Sequence, residues 1–133
     1  MNDKKIVLVA EDEGSIRGAL CEKLSIEGFT VFEAENGEEG LEIALREHPD
    51  LILTDILMPK MDGLTMIKKL REDEWGKHVG FIILTNANEF DKISKAMKLA
   101  EINDHESFEY FIKSDVKLSD VVEKVKKKIA LNS

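Results

Sequence analysis

The stretch LILTDILMPKMDG, residues 51–63, decides how this chain folds. Its opening residues Leu51, Ile52 and Leu53 are apolar one after another, without the alternation of a half-exposed strand. Strands of a buried parallel sheet read this way, because both of their faces are covered. The run breaks at Asp55, and a loop follows. Pro59 fixes its own φ and biases Met58 towards extended backbone, and Gly63 permits a tight turn into the next helix.

Outward from this segment the pattern repeats. Ile6-Val7-Leu8-Val9 and Phe81-Ile82-Ile83-Leu84 are equally unbroken, Phe29-Thr30-Val31-Phe32 alternates as an edge strand would, and Tyr110-Phe111-Ile112 supplies a fifth strand. Helical periods lie between them. Ile16, Ala19, Leu20 and Leu24 share a face, with Gly28 as a C-cap. Leu41, Ala44 and Leu45 mark a second helix, opened by Asn36 and followed by Pro49. Leu64, Ile67 and Leu70 mark a third, and Ile93, Ala96, Met97 and Ala100 a fourth. Leu118, Val121, Val122, Val125 and Ile129 mark the last, whose lysines 124 and 126–128 suit the negative end of its dipole and read as a solvated face. Strands alternating with helices imply an α/β fold, a doubly wound parallel sheet with helices on both faces. A ligand then belongs at the carboxyl ends of the strands.

Composition agrees with one domain spanning residues 1–133, with 43% hydrophobic and 35% charged residues. No apolar run reaches the roughly 20 residues of a membrane helix, and MNDKK leads into a strand with no signal-peptide core. Cys21 is the one cysteine and has no partner for an internal disulfide, which fits a reducing, cytoplasmic setting. A net charge of −8 argues against direct nucleic-acid binding and for proteins and cations as partners.

Chemistry gathers where the strands end. Strand 1 runs into Glu11 and Asp12, strand 3 ends at Asp55, strand 4 at Thr85 and strand 5 at Lys113. Carboxylates sharing one pocket repel, and a hard divalent ion such as Mg²⁺ relieves that repulsion. Lys113 and the Thr85 hydroxyl can stabilise charge on a phosphoryl group carried by one carboxylate.

Thr-Asp-Ile-Leu-Met-Pro-Lys-Met-Asp-Gly (54–63) resembles the phosphoacceptor loop of response-regulator receiver domains, and the paired acids, the Thr and the Lys stand in family order. The resemblance covers about residues 5–131. It implies a CheY-like fold with flavodoxin-like strand order 2-1-3-4-5. It further implies that Asp55 takes a phosphoryl group from a histidine kinase or phosphotransfer protein, that small acyl phosphates can serve as donors, and that slow self-hydrolysis follows. Mg²⁺ would be held by Asp12, Asp55 and the backbone carbonyl of Leu57, with Glu11 acting through water. Thr85 and Tyr110 would form the switch, altering a surface of helix 4, strand 5 and helix 5 that controls an unknown downstream protein or forms a homodimer.

Three features depart from the family pattern. Ser114 follows Lys113 where proline with a cis bond is usual, and a cis bond there would cost about 2.5–4 kcal/mol, so a trans or strained peptide is expected. The stretch 86–110 is several residues longer, with a polar surplus around 101–108. Asn86 replaces a small residue after Thr85, at a position that modulates access to the phosphoryl group.

Each feature also has a plainer reading. Glu11 and Asp12 suit a helix N-terminus, and Asp55 suits a turn; only their joint placement with Thr85 and Lys113 points to a site. Tyr110 alone reads as packing. His48, His78 and His105 lack ligand spacing and read as surface residues, Cys21 as packed, and Trp75 as cover for a core edge. Two other functions compete with the signalling one: a phosphate-independent pseudo-receiver that only binds partners, and a Mg²⁺-dependent hydrolase. The hydrolase lacks a second aspartate two residues after Asp55, where Leu57 stands, and has no G-x-x-x-x-G-K-[ST] loop.

Overall fold

The computed structural model describes residues 4–86, 91, 95, 108–114 and 117–131. The predicted fourth helix, His105 and the polar surplus at 101–107 lie outside them. Five strands form one parallel sheet: β1 (Ile6–Ala10), β2 (Thr30–Ala34), β3 (Leu51–Asp55), β4 (Gly80–Thr85) and β5 (Phe108–Ile112). Their order is β2-β1-β3-β4-β5, as the resemblance implied. Four helices are described: α1 (Gly14–Ile26), α2 (Gly37–Glu47), α3 (Gly63–Arg71) and α4 (Leu118–Leu131), the last being the fifth helical period of the sequence.

The unbroken apolar runs are explained by two separate cores. Period-two geometry sends Leu8, Ala10, Ile52, Phe81 and Ile83 to one face, where Met66, Ile67 and Leu70 of α3 and Ala44 of α2 cover them. Val7, Val9, Leu51, Leu53, Ile82 and Leu84 go to the other, against Leu20 and Leu24 of α1 and Val121 and Val125 of α4. Strand β2 is an edge, and its first three residues are only half-buried.

The helix ends obey local chemistry. Asn36 Oδ1 accepts a hydrogen bond from the Glu39 N–H at 2.9 Å, and Asp62 Oδ1 accepts one from Thr65 at 2.7 Å. Gly28, just past α1, has φ +100°, the left-handed conformation that glycine adopts without a Cβ clash. Cys21 is buried, and burial pushes its thiol up to about 12. Lys126 and Lys127 are exposed as expected, but Lys128 is buried at 7% exposure, so the lysine-rich end is not a uniformly solvated face. At the amino edge of the sheet, exposed His48 stacks on half-buried Trp75, ring centroids 4.5 Å apart and planes 6° from parallel.

Gly63 needs glycine for a different reason from the one its turn suggested. A Cβ there would lie 2.2 Å from the Asp55 carbonyl oxygen and 3.1 Å from Ile56 Cα, both backbone atoms. The start of α3 is thus pressed against the end of β3, and the Gly63 N–H donates to Ile56 O at 2.8 Å. Gly63→Ala will destabilise the chain by about 3 kcal/mol, because the clash is with backbone that cannot rotate away. A urea midpoint shift equivalent to less than about 0.5 kcal/mol would contradict this close packing.

Candidate functional site

Parallel strands all point their carboxyl ends the same way, so the residues that end β1, β3, β4 and β5 meet at one rim. Glu11 follows β1 directly, fixed by its N–H to Ala34 O at 3.0 Å. Asp55 is the last residue of β3 and Thr85 of β4, paired in register with Leu84 and Ile112 respectively. Lys113 follows β5, and its N–H donates to Thr85 O at 2.8 Å.

The side chains converge. Lys113 Nζ donates to Asp55 Oδ2 at 2.8 Å and lies 2.8 Å from Glu11 Oε1. Asp55 Oδ1 accepts from its neighbour's N–H, Ile56, at 2.7 Å. Glu11 is fully buried and Asp55 nearly so, while Asp12 is exposed at the mouth. Carboxylate oxygens of Glu11, Asp12 and Asp55 all lie within 4.8 Å of one another. Thr85 is buried, its hydroxyl making a long 3.4 Å contact to Asn86 O and no shorter one among the described residues, and Asn86 is exposed beside it. Leu57 stands in the loop after β3 with its side chain half-exposed. Tyr110 is half-buried against the α2–α3 core, and burial raises its phenol.

No described peptide is cis, so Lys113–Ser114 is trans. The lysine amine is nevertheless in place: a flexible four-carbon stem absorbs the altered backbone start.

The electrostatics of the site are set by burial and by its charged neighbours. Burial first, and the charge of Asp55 with it, push the Glu11 carboxyl up from its ordinary 4.5 to about 7, against the pull of Lys113. Burial pulls the Lys113 ammonium down, but its hydrogen bonds and charge contacts with Asp55 and Glu11 outweigh that and hold it above its ordinary value. Glu11 Oε1 lies 2.8 Å from the Lys113 ammonium. The three carboxylates, with oxygens within 4.8 Å of one another, are a hard donor set that fits a divalent cation such as Mg²⁺.

A testable pH dependence follows. A carboxyl whose folded pKa is raised contributes stability below its unfolded value and loses it as pH rises through the folded value. In EDTA the chain will therefore lose stability as pH rises from 4.5 through about 7, Lys113 remaining charged throughout. Mg²⁺ will reverse the loss. Urea midpoints measured in EDTA at about pH 5 and about pH 8 check it, and a flat profile would contradict it.

Two contacts escaped the sequence. Arg17 sits one turn into α1, where its guanidinium donates to Glu11 O at 2.8 Å and pairs with Glu33 at 3.2 Å and Glu35 at 3.3 Å. It fixes the backbone that carries the acidic pair. An arginine one turn after paired acids was a visible signal, but its partners on β2 and just after it were not. Glu13 Oε1 lies 3.6 Å from Lys113 Nζ, a third carboxylate on one ammonium. An apolar cleft of about 330 Å³, with Lys113 in its wall, opens beside the site between α1 and the start of α4.

Comparison with known proteins gives the same family. Residues 7–107 match the response regulator receiver domain. The chain is 34% identical over 102 residues to sporulation initiation phosphotransferase F of Bacillus subtilis, covering 77% of this chain and 79% of that protein. It is 45% identical over 82 residues to a probable transcriptional regulator, ycf27, of Porphyridium aerugineum, covering 62% of this chain and 33% of that protein. It thus spans about a third of the length of such regulators. Among solved structures, a response regulator receiver domain protein from Clostridium thermocellum superposes with TM-score 0.79 at 28% identity over 96% of both chains.

Proposed function

This chain belongs to the response regulator receiver domain family, and from that premise we propose that it takes a phosphoryl group onto Asp55 from a histidine kinase or phosphotransfer protein and passes the change to a downstream partner. It acts as a phosphoacceptor, not as an enzyme that turns over a separate substrate. The observation that carries the reading is the Lys113 ammonium held 2.8 Å from Asp55 Oδ2, where Asp55 also clusters with Glu11 and Asp12.

Asp12, Asp55 and the Leu57 carbonyl would hold Mg²⁺, with Glu11 acting through water. The bound ion would supply charge neutralisation for the phosphoryl oxygens. Asp55 attacks phosphorus through its side-chain oxygen, and the donor's leaving group departs with the electron pair of the broken bond. Lys113 then trades part of its carboxylate pairing for a phosphoryl oxygen. The Thr85 hydroxyl, held by no short bond, turns to another of these oxygens. Tyr110, on the neighbouring strand, repacks into the space this opens, which alters the surface carrying β5 and α4. Asn86, exposed beside Thr85, meters access of water and donor.

The downstream partner is a protein or a second copy of this chain meeting that surface. The relatives named as transcriptional regulators extend well beyond the segment that matches, and any DNA contact of theirs is not carried over to this chain. No described helix is long and apolar enough to cross a membrane, and a cytoplasmic site of action is part of the proposal. Incubation with Mg²⁺ and acetyl phosphate, read by intact mass, tests it. A chain that gains no phosphoryl group from that donor, from phosphoramidate or from a cognate kinase is not a phosphoacceptor.

A further inference from the structure

Glu13 occupies the N-cap of α1, yet its side chain makes no capping bond. Caps are normally short polar side chains that accept from the first turn, and glutamate is a poor choice for that. Its charge suits the helix dipole, but the dipole gives no reason for the carboxylate to lean across to another strand. That is what it does: it reaches to 3.6 Å from Lys113 Nζ while 53% exposed, and its own N–H donates to Glu11 Oε2 at 3.1 Å. A local rule broken without local gain marks a functional position.

Resting on the reading of Asp55 as phosphoacceptor, we infer that Glu13 is a positioning and selectivity residue: it steadies Lys113 from the solvent side and rims the cleft with a negative charge that sorts phosphoryl donors by their own charge. Lys113 then faces two buried carboxylates and one at the mouth. The buried pair sets where the ammonium sits. The outer one is too exposed to add much stability, but an incoming anion must pass it.

Two small donors separate this effect from general reactivity, because both make the same new bond. With acetyl phosphate, a dianion, an Asp55 oxygen forms the bond to phosphorus and the phosphorus–oxygen bond to acetate breaks, acetate leaving with the electron pair. With phosphoramidate, whose nitrogen carries a proton near neutral pH, the phosphorus–nitrogen bond breaks and ammonia leaves. The second donor carries one negative charge fewer. A rim charge therefore changes the ratio of the two rates.

The experiment measures both rates with Mg²⁺ by intact mass for the full chain, Glu13→Gln, Glu13→Ala and Glu42→Gln, the last an exposed acid on α2 that controls for net charge. Neutralising Glu13 by either substitution will raise the acetyl phosphate rate about three- to fivefold more than the phosphoramidate rate, and added salt will shrink the difference. Glu42→Gln will leave the ratio unchanged. A ratio that stays constant in both Glu13 variants, whether the two rates rise or fall together, overturns the inference while leaving the phosphoacceptor reading intact. A wild-type chain that accepts from neither donor removes that reading, and the inference with it.

Discussion

Asp55→Ala will abolish the phosphoryl mass gain that the proposed function expects of the wild-type chain with acetyl phosphate and Mg²⁺. The effect is complete because the other carboxylates in the pocket are poor substitutes. Glu11 is fully buried against the Lys113 ammonium, out of reach of an incoming donor. Asp12 is exposed and, in the proposed reading, would hold the cation. The fold will survive the change, because Asp55 contributes little packing and its removal leaves Lys113 paired with Glu11. Sites assembled for chemistry are held at some cost in stability, so the urea midpoint of metal-free Asp55→Ala will equal or exceed that of the parent. Residual uptake in the variant would move the phosphoacceptor to another side chain, which peptide mapping would identify.

The second large effect belongs to Lys113. It is the one cation recorded within ion-pair distance of both Asp55 and Glu11 among the described residues. In the proposed function its ammonium is the preplaced charge on which the incoming phosphoryl oxygen settles, and losing such a donor typically costs about 100-fold in rate. Lys113→Ala should therefore slow uptake from acetyl phosphate about 100-fold, followed as mass gain against time at saturating Mg²⁺. Lys113→Arg should recover little, since a planar guanidinium does not fit where a single ammonium reaches two carboxylates. A Lys113→Ala rate within about threefold of the parent would mean that the cation alone handles the phosphoryl charge.

Most of the architecture could be read from residue order. Leu51, Ile52 and Leu53 announce a strand covered on both faces, and Asp55 at its end announces where that strand emerges. Once the strands are parallel, geometry brings residues 11, 55, 85 and 113 to one rim, so the core of the candidate site was legible before any coordinate. The remainder depends on distances that residue order does not carry. Gly63 looked like a turn glycine, but its requirement is the Asp55 carbonyl oxygen 2.2 Å from where a Cβ would be. Ser114 pointed to a trans or strained peptide, and the peptide is trans, but that the amine still reaches 2.8 Å from Asp55 could not be read from it. Lys128 looked solvated and is buried, because the helix phase carries it towards the sheet. Arg17 and Glu13 act through partners on other elements, contacts that no spacing rule encodes.

The stack of His48 on Trp75 has a practical consequence. Trp75 is the chain's single tryptophan, and it precedes β4, whereas the phosphoacceptor pocket lies at the far end of that strand, about 15 Å or more away. Its emission is expected to change when the imidazole lifts off, so native fluorescence should follow melting of the amino edge and respond little to events around Asp55. Optical titration of this chain calls for a second fluorophore placed beside the cleft, with Trp75 kept as the folding channel.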